Sequence, residues 1–254
     1  MANFNDQESH VPRLRDGHRI PYGERYPLNE MPESLIKKIG GYLVYLLYIG
    51  RKDISGEDWG DAFADAIDGI HLDSPVGIAD VVLGKMAWSM KTVKNANPFK
   101  AERVRLISGR CSPDYSYGIT DPHKDIQKTG TAVLGIWNER INIAQDNYNP
   151  LRTSVLIRSN DLLSYCIYEE ENHRYATNEY HWEVNPNGNL IGKSIETGET
   201  CFTWQPHGSQ FTIHSAVPKN AVKFRIKRPP LLTKDDILDT IHFDKDWVDI
   251  IRER

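Results

Sequence analysis

Gly77-Ile78-Ala79-Asp80-Val81-Val82-Leu83-Gly84-Lys85-Met86-Ala87-Trp88-Ser89-Met90-Lys91 reads as two apolar strands of a hairpin, the first carrying an acid and the second a lysine. Side chains alternate faces along a strand, so Ser89 and Lys91 emerge on one side of the second strand and meet Asp80 across the hairpin. A carboxylate and an ammonium then share one small space. Phosphodiester hydrolysis uses these two groups together: the carboxylate can hold a divalent ion, while the lysine orients the attacking water and offsets developing negative charge.

Outward from the hairpin, the preceding stretch Glu57 to Asp68 reads as an acidic helix with Ser55 as N-cap and Asp58 in its first turn. Its apolar stripe is Trp59, Phe63, Ala66 and Ile67, and Asp61 and Asp65 lie one turn apart on one face. An earlier helix starts near Pro32-Glu33-Ser34 and places Leu35, Ile36, Ile39, Leu43, Leu46 and Leu47 at helical spacing. After the hairpin come a turn at Asn95-Ala96-Asn97-Pro98 and a third apolar strand, Arg103 to Ile107. From Asp125 to Tyr148 the positions Ile126, Val133, Leu134, Trp137, Ile141 and Ala144 recur at helical spacing until Asn149-Pro150 stops them, and Thr153 to Ile157 then has the composition of a buried strand.

On the Asp80, Ser89 and Lys91 pattern and this order of elements, residues 33 to 158 resemble the PD-(D/E)XK nuclease superfamily, its type II restriction endonucleases in particular. The resemblance implies an α/β fold with a restriction-endonuclease-like α-β-β-β-α-β core and a β-rich C-terminal extension. Asp80 matches the motif Asp and Lys91 the motif Lys. Two positions depart from the pattern: Ala79 replaces the motif Pro, and Ser89 stands where the family usually carries Asp or Glu, which removes a metal ligand. Such variants can draw a carboxylate from the preceding helix, here Asp61 or Asp65. Carried over residue by residue, the resemblance implies that Asp80 binds Mg²⁺ with help from Asp61 or Asp65. Lys91 would activate water, and Ser89 would act by hydrogen bonding or through a water molecule. It implies double-stranded DNA as substrate, cut at a specific site, and a two-fold homodimer that matches a palindromic site.

Beyond this core, Leu162 to Lys227 is strand-rich and punctuated by turns, for example Tyr180 to Val184 followed by Asn185-Pro186-Asn187-Gly188-Asn189. Pro229-Pro230 ends it, and a final helix is expected over Thr233 to Ile241, with Trp247, Ile250 and Ile251 adding an apolar patch. The expected organisation is a single domain: an arm over 1–30, a catalytic core over 31–160, a β-rich DNA-recognition extension over 161–230 and a helical segment over 231–254. Two segments carry groups able to read base edges or brace phosphates. One is the loop Gly109 to Gly118, with Arg110, Ser112 and Asp114; the other is the turn Trp204 to Gln210, with Gln205, His207, Ser209 and Gln210. Both also fit ordinary turn chemistry.

Composition bounds these readings. The 254 residues, 39% hydrophobic and 26% charged, are enough for one sizeable core. A net charge of -4 and a pI near 6.1 argue against attachment to nucleic acid by overall charge, although a local basic cleft is compatible with an acidic exterior. Cys111, Cys166 and Cys201 form no CxxC pair, so neither a zinc knuckle nor a disulfide framework is suggested. The start of the chain lacks an apolar h-region and Tyr42 to Ile49 is too short to span a bilayer, so a cytoplasmic protein without membrane contact is expected. With no P-loop, no dinucleotide fingerprint and no GxSxG, no nucleotide cofactor is expected. The alternative from another class is a non-catalytic module that binds nucleic acid or a partner, and Ser89 in place of an acid is its best support.

Overall fold

The structure is a computed structural model and describes residues 25–251, so the expected arm over 1–30 lies almost wholly outside the described residues. In chain order the elements are α1 (Glu33–Tyr48), α2 (Gly56–Ile67), β1 (Ile70–Val76), β2 (Ala79–Leu83), β3 (Met86–Lys94), β4 (Arg103–Arg110), α3 (Pro113–Tyr117), α4 (Ile126–Asn147) and β5 (Leu151–Arg158). They continue with β6 (Ser164–Glu171), β7 (Tyr180–Val184), β8 (Leu190–Ser194), β9 (Thr200–Gln205), β10 (Gln210–Ala216), β11 (Val222–Arg225) and α5 (Lys234–Thr240). The class is mixed α/β. One sheet has the order β1-β2-β3-β5-β6-β11 and the other β4-β10-β9-β8-β7. Among the described residues only the β3–β5 pairing is parallel. A parallel pair needs a long crossover, and α4 lies in the connection that makes it.

Local chemistry sets the helix limits. Ser55 accepts from Asp58 N, and the Asp58 carboxylate reaches back to Ser55 N, which closes a capping box at the start of α2. Asp125 caps α4 by accepting from Lys128 N. The apolar positions expected on α1 and α2 are buried except Ile36, which is partly buried, and both helices cover the face of the first sheet that carries Val81, Trp88, Met90, Leu156 and Ile167. On the other face, α4 sets Val133, Leu134, Trp137 and Ile141 against Ala79, Val82, Ala87 and Leu151, and against Trp182, Phe202 and Phe211 of the second sheet.

Strand membership differs from expectation in two places. The strand over Arg103–Arg110 does not continue the hairpin sheet; it pairs with β10 at the edge of the second sheet. Its alternating burial directs Val104 and Leu106 onto Val155, Ile157 and Tyr168, while its backbone is paired by β10. The third strand of the hairpin sheet is instead β1, antiparallel to β2. Likewise β6 and β11, expected in the extension, complete the first sheet, so the two sheets do not divide at residue 160.

Packing of α4 on the second sheet turns on Gly130, where an added Cβ would lie 2.3 Å from the buried Trp182 ring. Gly130→Ala is expected to destabilise the protein by about 1–3 kcal/mol through overpacking, despite a helix-propensity gain of about 1 kcal/mol. Urea denaturation followed by tryptophan fluorescence checks this, and an unchanged midpoint would contradict it.

Candidate active site

Register builds the site. Val81 pairs with Trp88 and both face α2, so Asp80 and Ser89 point to the opposite face, as does Lys91 two residues on. Asp80 Oδ2 accepts from Met90 N at 2.7 Å and from Ser89 Oγ at 3.3 Å, which fixes the carboxylate against β3 at the start of β2. Ser89 is buried, whereas Asp80 and Lys91 are partly exposed. Burial pushes the Lys91 ammonium below the usual lysine range; Asp80 opposes that shift and Arg140 adds to it. A lysine in this position more readily gives up a proton than one in open water.

Arg140, on α4, has no counterpart in the sequence reading. Its guanidinium donates to Ser108 O and to Arg110 O at the end of β4. Two positive-φ glycines admit it: a Cβ on Gly109 would lie 2.6 Å from Arg140 Nη1, and one on Gly77 would lie 2.4 Å from Arg140 O. Arg140 therefore meets both places, by its guanidinium at the end of β4 and by its main-chain carbonyl at the turn before Asp80. A surface-like Arg within a helical pattern gives no sequence signal of this, although the two glycines mark the close approaches.

Asp61 and Asp65 are not brought to Asp80. Both are exposed on α2, which covers the other face of the sheet; Asp61 bonds the His71 ring at 2.7 Å, and both carboxylates act on Tyr42 of α1. The expectation of a helix ligand is corrected on that ground: one helical turn sets which residues share a face of α2, not which face of the sheet α2 covers. On the Asp80 face, the acid found by following the register is Glu170, through Ser89 opposite Thr153 and Thr153 opposite Glu170. Two strand spacings separate it from β3, about 10 Å, and it accepts from Ser215 Oγ at 2.6 Å.

A divalent ion fits this donor set as a partial site. Asp80 Oδ1 has no protein donor among the described residues, and a carboxylate oxygen is a suitable hard ligand for Mg²⁺, which commonly keeps waters and binds through one or two carboxylates plus substrate phosphates. Ala87 N bonds Pro150 O beside β5, so the alternating backbone groups of Met90 face the opposite, open edge of β3, next to Asp80.

The two DNA-reading segments do come together. Cys111 N bonds Ser209 O at 2.8 Å and Arg110 Nε bonds Gly208 O at 3.0 Å, so the end of β4 and the β9–β10 turn form one end of the second sheet. Ile107 pairs with Thr212 but Arg110 with Gln210, so β4 carries one extra residue there, a bulge containing Gly109 at φ 92°. The bulge brings Arg110 into a cross-strand row with Gln210 and Gln205. His207 is exposed in the turn and Ser209 is partly exposed. Ser112 and Asp114 belong to α3 rather than to a loop: Ser112 caps it by accepting from Tyr115 N, and Asp114 is exposed in its first turn. His123 and His214 are engaged elsewhere, with Gly188 O and Thr203 Oγ1.

Among the described residues no helix is long and apolar enough to cross a membrane. Compared with known proteins, the chain matches no family model, no curated protein and no solved structure.

Proposed function

We propose that the protein is a Mg²⁺-dependent endonuclease that cuts double-stranded DNA at a specific sequence, in the manner of a type II restriction endonuclease. The observation that carries this reading is the meeting of Asp80 and Lys91 on one sheet face, where β2 begins and β3 runs on paired with β5 only. The order α2, β1, β2, β3, α4, β5 around the first sheet supports it, because, with β4 and α3 inserted between β3 and α4, it follows the α-β-β-β-α-β succession of the nuclease superfamily. So does the row Arg110, Gln210 and Gln205, which offers guanidinium and amide groups suited to guanine and adenine edges.

In this mechanism Asp80 would hold the ion, while Met90 N and Ser89 Oγ donate to its Oδ2 and keep the carboxylate in place. The ion, when bound, stabilises negative charge on the phosphate and lowers the pKa of a coordinated water. Lys91, when in its neutral amine form, would orient the attacking water and take up its proton, becoming the ammonium that offsets charge at phosphorus, a role that its lowered pKa favours. Ser89 supplies a hydrogen bond in place of a second carboxylate. We propose a homodimer because two copies would present one centre to each strand of a palindromic site. The second reading, a non-catalytic DNA-binding module, draws on the absence of a second acid beside Asp80 among the described residues.

Asp80→Ala is expected to lower the cleavage rate by on the order of a thousandfold or more, since several kcal/mol of charge stabilisation depend on the ion. Mn²⁺ titration by calorimetry in the presence of DNA should show the corresponding loss of binding. Asp61→Asn and Asp65→Asn should each cut at the parental rate. Parental cleavage by Asp80→Ala, with Mn²⁺ affinity unchanged, would overturn the proposed centre.

A further inference from the structure

Beyond Lys91, β3 has no neighbour on one side. Strand β2 starts at Ala79, and its register with β3 covers only Met86 to Trp88, so the backbone groups of Thr92 and Lys94 face the open edge. Across that edge stands the exposed side of β4. Between them lies a cavity of about 420 Å³, lined among others by Lys91, Thr92, Lys94, Arg105 and Ile107, with Gly56 at the start of α2 on its rim. Its lining holds three cations and no carboxylate, although the chain as a whole carries a net charge of -4.

None of Lys91, Lys94 and Arg105 makes an ion pair among the described residues. The charges within reach are Asp80 for Lys91 and, for Lys94, Asp53, whose carboxylate is already held by Arg158 at 2.7 Å; Arg105 acts on His214 beside it. Three like charges around one cleft repel one another, and an anion that bridges them relieves the repulsion. Free backbone N–H groups on the strand edge add donors of the kind that phosphate oxygens accept.

We propose that this cleft binds successive phosphates of a DNA strand through Lys94 and Arg105, delivering the backbone to Lys91. The inference rests on the nuclease reading for its choice of strand over free phosphate, and extends it to two residues outside the centre. The exposed edge of β4 gives a scale: Arg105 and Arg110 stand opposite His214 and Gln210, four residues apart on β10, about 13 Å along a strand, or about four base-pair steps of duplex. Phosphate contacts at Arg105 and base reading at Arg110 then fall on one DNA site, the first setting register and the second sequence.

The test uses the full chain, with Ca²⁺ in place of Mg²⁺ to hold cleavage back, and fluorescence anisotropy of labelled duplexes of several sequences over a range of salt. Lys94→Gln and Arg105→Gln, both at exposed positions and checked for an unchanged circular dichroism spectrum, are each expected to weaken binding to all sequences alike. Each should also reduce the slope of log affinity against log salt by about one. Unchanged affinity and slope in both variants, with Mg²⁺-dependent cutting intact in the parent, would overturn the cleft and leave the nuclease reading standing. Reduced slopes with no cutting by the parent would keep the cleft and sink the nuclease. Inorganic phosphate titrated alone is the remaining arm: saturation by phosphate in the parent without any change in the DNA slopes of the variants would make this a small-anion site and overturn the proposal.

Discussion

Lys91→Ala is expected to abolish cleavage while DNA binding in Ca²⁺ falls by no more than the loss of one phosphate contact. The lysine acts on the water and on the charge that develops at phosphorus, so its removal affects the transition state far more than the bound ground state. Lys91→Arg separates its two contributions. An arginine keeps the positive charge but does not deprotonate in proteins, so it should restore binding and leave the chemical step impaired. The position of Lys91 makes this argument specific: burial, opposed by Asp80 and reinforced by Arg140, lowers its pKa. Single-turnover cleavage measured beside anisotropy gives both quantities on the same protein preparations. Parental cleavage by Lys91→Ala would remove the lysine from the mechanism.

Glu169→Ala should cause the largest loss of stability among single substitutions at polar positions. Glu169 and Arg152 are both fully buried and pair at 3.1 Å, and the carboxylate also accepts from Tyr26 Oη at 2.9 Å and Trp88 Nε1 at 2.7 Å. Burial pushes the Glu169 carboxyl up, while Arg152, Tyr26 and Trp88 pull it back toward the charged form. Removing the carboxylate takes a charged partner from buried Arg152 and leaves the Tyr26 Oη and Trp88 Nε1 donors without their acceptor, at a cost of about 3–5 kcal/mol. For a chain of this size that corresponds to a drop of roughly 10 °C or more in Tm. The double variant Glu169→Leu with Arg152→Met should recover part of the loss, because a buried ionic pair can be exchanged for apolar residues of similar volume at little cost. Calorimetry checks both variants, and a double variant no more stable than Glu169→Ala would contradict the explanation.

The elements that the sequence revealed are those whose burial has a simple period. α1, α2 and α4 fall within a few residues of their expected limits because each buries one stripe and carries a recognisable cap or stop. β1 gives little signal because Ile70-His71-Leu72-Asp73-Ser74-Pro75-Val76 is a mostly exposed edge strand, in which Asp73-Ser74-Pro75 interrupts the apolar alternation of Ile70, Leu72 and Val76. β4 was recognised as a strand but placed in the wrong sheet. Alternation tells which residues face inward, not which strand supplies the hydrogen bonds, and the partner of β4 lies about a hundred residues further on in β10. The Glu169 and Arg152 pair had no signal, since charged residues in strands are ordinarily read as exposed.

The same limits apply to the site. Asp80, Ser89 and Lys91 were legible because one hairpin fixes their relation locally. Asp61 and Asp65 were not correctly placed, since their position relative to Asp80 depends on which side of the sheet α2 packs. Arg110, Gln205 and Gln210 were individually visible as polar residues near turns, but the bulge at Gly109 that sets them in one row is a product of the β4–β10 register. Arg140, Lys94 and Arg105 carry no signal of their own, because only tertiary structure brings β4 across from the open edge of β3 and the Arg140 charge within reach of Lys91.

The most direct test of the account is incubation of the purified protein with phage or plasmid DNA and Mg²⁺, resolved on a gel beside Lys91→Ala and a chelator control. Discrete fragments from the parent alone, and only with the ion present, are the predicted result. Intact DNA across varied substrates from a folded parent protein would contradict the nuclease reading and leave a DNA-binding module in its place.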